Sequence, residues 1–309
     1  MVDDCSTDKS IEIAEKLIAE YDGPIEFRML HHKHNRGLSA ARNTGVENAN
    51  GDYVLFLDSD DHITDDCLDV LTGPLKEKDY DMVLGDVELS PNPRNMSLLG
   101  KETGPIFGNK DIFLSFYVRP VLYVVAWNKL VKASLFKGYD LLFLEGQLNE
   151  DDLWKYKCCL CLESLFVIKR TTYHYRVRND SLTSYCEDHT DERLDSYFKT
   201  VDYVLSHPAK VGKAVWIKVI VDYMCICSDL IITGKSKCRK EYLALRKRFE
   251  YHPVKLFVKK QLSLLELKKR FHFGLPSLLD YSYLIMPRGI NRFFIKPCRV
   301  LYSSFHGFP

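Results

Sequence analysis

Between Val2 and Asp61, three short apolar stretches alternate with two helical patterns, and this alternation constrains the fold more than any other feature of the chain. An extended piece ends at Val2-Asp3-Asp4. Over residues 10–21, Ile11, Ala14, Leu17 and Ile18 recur at helical spacing and predict a helix with one apolar face. Ser6 or Thr7 suits its N-cap, and Asp8 suits the positive end of its dipole. Asp22-Gly23-Pro24 breaks the pattern, residues 25–30 read as a strand, and a polar loop runs from His31 to Gly37. A second helix is expected from Leu38 to about Asn48, and residues 53–57 read as a third strand.

Strands and helices that alternate over short connections predict parallel pairing with right-handed crossovers. Val54-Leu55-Phe56-Leu57 is apolar throughout, as expected of a strand covered on both faces. In such sheets ligands gather at the carboxyl ends of the strands. Those ends are Asp3-Asp4, the 31–37 loop and Asp58-Ser59-Asp60-Asp61, so acidic groups from separate stretches are expected on one rim. Asp58 and Asp60 place two hard oxygen donors across a turn, a set suited to Mg²⁺ or Mn²⁺. An EF-hand is excluded because Ile63 stands where that loop needs glycine.

Beyond Asp61 the pattern loosens. Residues 81–89 and 165–169 read as strands, and residues 111–136 look helical in parts, ending in Trp127-Asn128-Lys129-Leu130. Glu150-Asp151-Asp152 opens a helix that runs through Cys161, and the chain reads as helical from about Asp191. Cys158 and Cys161 form a C-x-x-C with no second pair, which reads as small buried groups rather than a zinc site. With 46% hydrophobic residues the chain has material for a sizeable core, which excludes disorder and collagen-like folds. The longest apolar run, residues 215–233, is interrupted by Lys218, Asp222 and Asp229, so no membrane-spanning helix is expected. The start carries no charged-then-apolar leader, and ten cysteines are too dilute for a disulfide scaffold, so a cytoplasmic location is expected.

The segments Val2-Asp3-Asp4-Cys5-Ser6-Thr7-Asp8, Asn35-Arg36-Gly37-Leu38-Ser39-Ala40-Ala41-Arg42-Asn43-Thr44-Gly45 and Gly51 to Asp61 occur in that order. Together they resemble a glycosyltransferase of family 2 with the GT-A nucleotide-diphospho-sugar fold, a Rossmann-like, mostly parallel sheet flanked by helices. A weaker echo runs through Trp127-Asn128-Lys129-Leu130, Glu150-Asp151 and Tyr175-Arg176-Val177-Arg178, so the resemblance covers about residues 2–183. It implies a GT-A-like domain over residues 1–185, and the remainder, 186–309, reads as a helical, basic region. It also implies an inverting transfer from a nucleotide-diphosphate sugar, a UDP-sugar, to a hydroxyl of a saccharide or lipid-linked acceptor in surface polysaccharide synthesis. Asp4, or its neighbour Asp3, would accept the N3 hydrogen of uracil, and Arg42 would lie near the phosphates, where its fork donates without losing charge. Asp58 would approach the ribose or sugar, and Asp60 would hold Mg²⁺ or Mn²⁺. Asp151 would be the general base; the adjacent Glu150 and Asp152 are the other candidates.

Two departures from the family pattern stand out. The family opens with a βα unit ahead of the Asp-Asp motif, whereas Met1 directly precedes Val2. The expectation is therefore an exposed strand edge, a poorly stable, weakly active chain and, as the rival reading, a non-catalytic truncated remnant that binds a partner or sugar. Cys5 stands where the family commonly has glycine, and if the turn needs positive φ, cysteine adds strain. An Asp-nucleophile phosphatase built on Asp58 and Asp60 would explain neither Arg42 nor Asp3-Asp4.

The net charge of +1 conceals a division. Residues 235–309 hold 17 Lys/Arg against 4 Asp/Glu, leaving 26 basic and 38 acidic groups in residues 1–234. Basic groups alternate with Phe, Tyr and Leu in that tail, a composition suited to lying on an anionic membrane surface, here the cytoplasmic face. No nucleic-acid motif accompanies it, so nucleic acid is not an expected partner.

Overall fold

The computed structural model describes residues 1–90, 99, 103–118, 122–177 and 189–233. The basic tail, Arg178 and the boundary expected near residue 185 lie outside them. The first half runs β1 (Val2–Asp3), α1 (Ser10–Glu20), β2 (Leu30–His31), α2 (Leu38–Glu47), β3 (Tyr53–Leu55), β4 (His62–Ile63), α3 (Cys67–Thr72) and β5 (Met82–Ser90). The second half runs β6 (Gly104–Phe107), α4 (Asn109–Tyr117), β7 (Lys129–Lys132), α5 (Ala133–Gly138), α6 (Glu150–Cys161), β8 (Ser164–Arg176), α7 (Thr190–Ser206) and α8 (Lys213–Thr233).

α1, α2 and β3 fall where their spacing predicts, but of the strand expected over residues 25–30 only Leu30 is in β2, which continues to His31, and the pairing differs. β1 and β2 form a parallel two-stranded sheet of their own. β3 belongs to a separate sheet in the order β3-β7-β5-β8-β4, with β6 also paired to β8. In that sheet β5 and β8 are parallel and every other pairing is antiparallel, so the central sheet is mixed rather than mostly parallel. A principal cause is β7, which runs back between β3 and β5 and which the sequence alone assigns to a partly helical stretch. β3 therefore lies at the sheet's edge. Phe56 after it is buried, but Leu57 is exposed, so the apolar run is not covered on both faces.

The sheet is covered on both sides, and the period-two alternation of its strands shows it. Met82, Leu84, Leu165, Val167 and Val131 point into a large core shared with α4, α6, α7 and α8. Val83, Leu130 and the half-buried Phe166 and Ile168 point the other way, onto Cys67 and Leu71 of α3. α6 is the element that positions the candidate site. Leu153, Trp154, Tyr156, Cys158 and Cys159 of α6 are buried, so its axis is fixed by packing. Burial pushes the Cys158, Cys159 and Cys161 thiols upward, consistent with unreactive core groups.

Candidate functional site

Charged side chains from three elements meet at the first turn of α6. Arg42, near the middle of α2, lies almost wholly inside the protein, its side chain only 6% exposed. Its Nη1 donates to Glu150 Oε1 at 2.7 Å and to Asp151 Oδ1 at 3.3 Å, while Nη2 donates to Asp58 Oδ1 at 3.0 Å. The guanidinium carbon lies 5.2 Å from the centre of the Phe143 ring and 6.0 Å from that of Phe56. Phe143 is in turn stacked on Trp154 of α6. Asn43 locks α2 to this segment, donating to the Phe143 carbonyl and accepting from its N–H. One arginine thus ties the end of β3 to the start of α6 across an aromatic wall.

The electrostatics follow from that crowding. Burial opposes the charge on Arg42, but Asp151, Asp58 and Glu150 outweigh it and hold the guanidinium charged. Asp151 is raised well above the ordinary carboxylate range, first by burial, then by Glu150 beside it and by Asp58; Arg42 and Lys129 pull it back down. The Ala126 N–H donates to the same Oδ1 that Arg42 touches. The Asp151 side chain remains 17% exposed, so a carboxylate whose proton comes off late is still open to an incoming group.

The turn after β3 is braced from β8. The Asp58 N–H donates to the Tyr173 hydroxyl, which donates to Asp61 Oδ2 at 2.8 Å. Asp61 Oδ1 accepts the Arg176 N–H at 2.7 Å. Burial raises Asp61 against the pull of these hydrogen bonds. Asp61 is therefore built into the loop, while Asp60 sits on the turn that the Asp61 N–H closes onto the Asp58 carbonyl.

Asp3 and Asp4 stand at the other end of α2. Asp4 accepts the Arg36 N–H at 2.8 Å and the Gly37 N–H at 2.7 Å. Gly37 is the N-cap of α2 with φ 85°, a conformation glycine adopts without a steric cost. His32 Nδ1 lies 2.6 Å from Asp4 Oδ1, and its Nε2 lies 2.9 Å from the Thr44 hydroxyl. A carboxylate only accepts, so Nδ1 carries the proton, and in the neutral ring Nε2 accepts from Thr44. Burial works against the Asp4 charge, yet the Arg36, His32 and Gly37 donors hold its carboxyl below the usual value. Asp3 accepts the Ser6 N–H and pairs with His31. Arg42 is five residues beyond Gly37, about 8 Å along the helix. Arg36 also clasps Glu145, in the segment leading to α6, with both carboxylate oxygens.

The structure thus brings Arg42, Asp58, Glu150 and Asp151 into one cluster, with Asp3 and Asp4 at the far end of the same helix and Asp60 on the adjoining turn. The resemblance places Arg42 at phosphates; here its guanidinium is engaged by three carboxylates. Sequence reasoning misses the Ala126 N–H, Tyr173, Phe143 and Lys129. Of these only Lys129 carries a signal, its place in the Trp127-to-Leu130 segment. Among the described residues no group of three or more His, Cys, Asp and Glu is arranged to hold a metal ion. No helix among them is long and apolar enough to cross a membrane. Cys5 has φ 64°, so the turn does require the left-handed region.

Comparison with known proteins bears on the family and the fold. Residues 1–122 match the model of glycosyl transferase family 2. Glycosyltransferase GlyA of Streptococcus pneumoniae is 34% identical over 192 residues, covering 59% of this chain and 27% of that protein. The putative glycosyltransferase EpsH of Bacillus subtilis is 29% identical over 188 residues, covering 59% of this chain and 53% of that protein. The chain thus spans between about a quarter and a half of the length of these curated relatives. The crystal structure of Staphylococcus aureus TarS 1–349 in complex with UDP-GlcNAc superposes with a TM-score of 0.67 at 18% identity, covering 89% of this chain and 84% of that one. That likeness establishes the GT-A fold.

Proposed function

With residues 1–122 matching the model of glycosyl transferase family 2, we propose that the chain is an inverting glycosyltransferase. It would move a sugar from a UDP-sugar to a hydroxyl of a saccharide or lipid-linked acceptor in surface polysaccharide synthesis. The observation that carries this reading is the convergence of Asp58, Glu150 and Asp151 on Arg42. The similarity to TarS, whose curated name is poly(ribitol-phosphate) beta-N-acetylglucosaminyltransferase, supports the class of donor.

Asp3 or Asp4 accepts the uracil N3–H, and Asp58, held by Arg42, faces the ribose or sugar. Asp151 takes the proton of the acceptor hydroxyl, whose oxygen attacks the anomeric carbon on the face opposite the leaving nucleotide, inverting its configuration. A base placed in this way contributes about 10²–10⁴-fold. Its raised proton affinity suits a base that works near neutral pH. Mg²⁺ and Mn²⁺ fit the turn, because such ions are commonly held by one or two carboxylates plus substrate phosphates, and Asp60 supplies one such donor. When bound, the cation offers charge stabilisation to the leaving diphosphate.

Calorimetry with UDP-GlcNAc and UDP-glucose in the presence of Mn²⁺, paired with a transfer assay, tests the assignment. Asp60→Asn should abolish the Mn²⁺-dependent part of donor binding. Asp151→Asn should leave donor affinity intact and lower transfer by about 10²-fold or more. Transfer at the normal rate in Asp151→Asn removes Asp151 as the base.

A further inference from the structure

Lys129, the first residue of β7, is 1% exposed, among the most deeply buried ionisable side chains in the protein. Its ammonium hydrogen bonds to the Val125 carbonyl and lies 3.7 Å from the centre of the Tyr123 ring. The Val125 carbonyl and the Ala126 N–H are the two ends of one peptide group, and that N–H donates to Asp151 Oδ1 at 3.1 Å. An ammonium, a peptide and a carboxylate therefore stand in line, with the peptide dipole oriented favourably toward both charges.

We propose that Lys129 is a positioning residue for Asp151, acting through the Val125–Ala126 peptide group that bridges them. This rests on the reading of Asp151 as the base. A peptide hydrogen bonded to a cation through its oxygen is polarised, and its N–H becomes a stronger donor to the carboxylate. The arrangement also fixes the orientation of the carboxylate: Oδ1 is occupied by the Ala126 N–H and the Arg42 guanidinium. The tilt of the carboxylate toward the acceptor is thereby set from β7 as well as from α2.

The groups around the pair are consistent with this. Asp151 faces Glu150, Arg42, Lys129 and Asp58, with Lys129 among those that lower its proton affinity. Lys129 faces Asp151, Cys158, Lys155 and Arg42; burial depresses its ammonium, and Asp151 is the foremost group that supports its charge. The amine does not touch the carboxylate, and the Val125–Ala126 peptide joins the two by a hydrogen bond at each end.

The test compares wild type, Lys129→Met, Lys129→Arg and a backbone ester at position 126, in which lactic acid replaces Ala126, removing the N–H and weakening the Val125 carbonyl as an acceptor. The readouts are the pH profile of transfer, the donor KM and the titration of the Asp151 carboxyl by carbon NMR. Lys129→Met should move the acidic limb and the carboxyl titration to higher pH by about one unit, with donor KM within about twofold of wild type. Lys129→Arg, which keeps the charge, should move both less. The ester should shift both in the same direction as Lys129→Met. A buried lysine that serves only packing would alter the melting temperature and leave the limb in place. An unmoved limb and an unmoved carboxyl titration in folded Lys129→Met overturn the proposal. If Lys129→Met does not fold, the same result in the ester overturns it. Normal transfer by Asp151→Asn, by contrast, overturns the base assignment, and the carboxyl titration then still decides whether Lys129 acts on Asp151.

Discussion

Arg42 spans two sides of the cluster with two different nitrogens, which a lysine cannot do. Nη2 serves Asp58 while Nη1 serves Glu150 and Asp151, and the planar fork lies against Phe143. Removing one partner of a buried ion pair costs about 3–5 kcal/mol, because the remaining charges stay uncompensated. Arg42→Met should therefore lower the urea-unfolding free energy by roughly that amount. Arg42→Lys should recover part of it while transfer stays at least tenfold depressed, since a compact ammonium holds only one side. The same carboxylates set the pH response. Asp151 must be ionised to accept a proton, and its proton affinity is raised, so transfer should fall as pH drops through a value above the ordinary carboxylate range of about 4. A profile flat from pH 8 down to 5 contradicts this. Cys5, at φ 64°, sits in backbone that costs an L-residue about 1 kcal/mol. Cys5→Gly should raise the melting temperature, because glycine relieves that strain and forgoes only a weak hydrogen bond from the thiol to the His32 carbonyl. Asp58, Glu150 and Asp151 were legible in the sequence because they stand in segments that resemble the family's motifs; acids at a helix start alone would equally serve the helix dipole. Lys129 was not, because its role depends on a peptide group four residues earlier that only the folded chain turns toward Asp151.

At the scale of elements, the segment from β1 to β2 and the central sheet differ in how they are held. α1 has no fully buried side chain, and Ile13 and Leu17 are exposed, as are Ile25 and Phe27 ahead of β2. β5 and β8, by contrast, pair over most of their length and carry Met82, Val83, Leu84 and Leu165 at no measurable exposure. Local opening free energy follows buried apolar contact. Amides of α1, β1 and β2 should therefore exchange with deuterium at least tenfold faster than those of β5 and β8; equal protection in both groups contradicts that difference in packing. The elements also show where local reading stops. α1, α2 and α6 were predictable because amphipathic spacing and acidic first turns are properties of contiguous sequence. β7 was not. Trp127-Asn128-Lys129-Leu130 has no strand alternation that distinguishes it, and its conformation is fixed by partners far earlier in the chain, Tyr53 to Leu55 of β3 and Met82 to Leu84 of β5. Two of the sheet's antiparallel pairings follow from that one strand.

At the scale of the whole molecule, α7 and α8 join the candidate site to the C-terminal part of the chain. Tyr156 of α6 donates to the His207 carbonyl just past α7, and Tyr223 of α8 donates to the Asp152 carbonyl. The helices that precede the basic tail thus pack directly on the helix that carries Asp151. A stretch with 17 Lys/Arg against 4 Asp/Glu begins at residue 235, just past α8. A polybasic segment gains about 1 kcal/mol per cation at an anionic lipid surface, and salt screens that attraction over a Debye length of about 8 Å at physiological ionic strength. The full chain should float with vesicles containing phosphatidylserine at 50 mM salt, and release at 500 mM. A chain ending at residue 233 should stay unbound at both while retaining UDP-sugar affinity, because every residue of the Arg42 cluster lies before that point. Flotation of the shortened chain would place the membrane contact on the body instead. The acidic excess before residue 235 makes this a demanding test, since a body with 38 acidic and 26 basic groups is repelled by the same lipid.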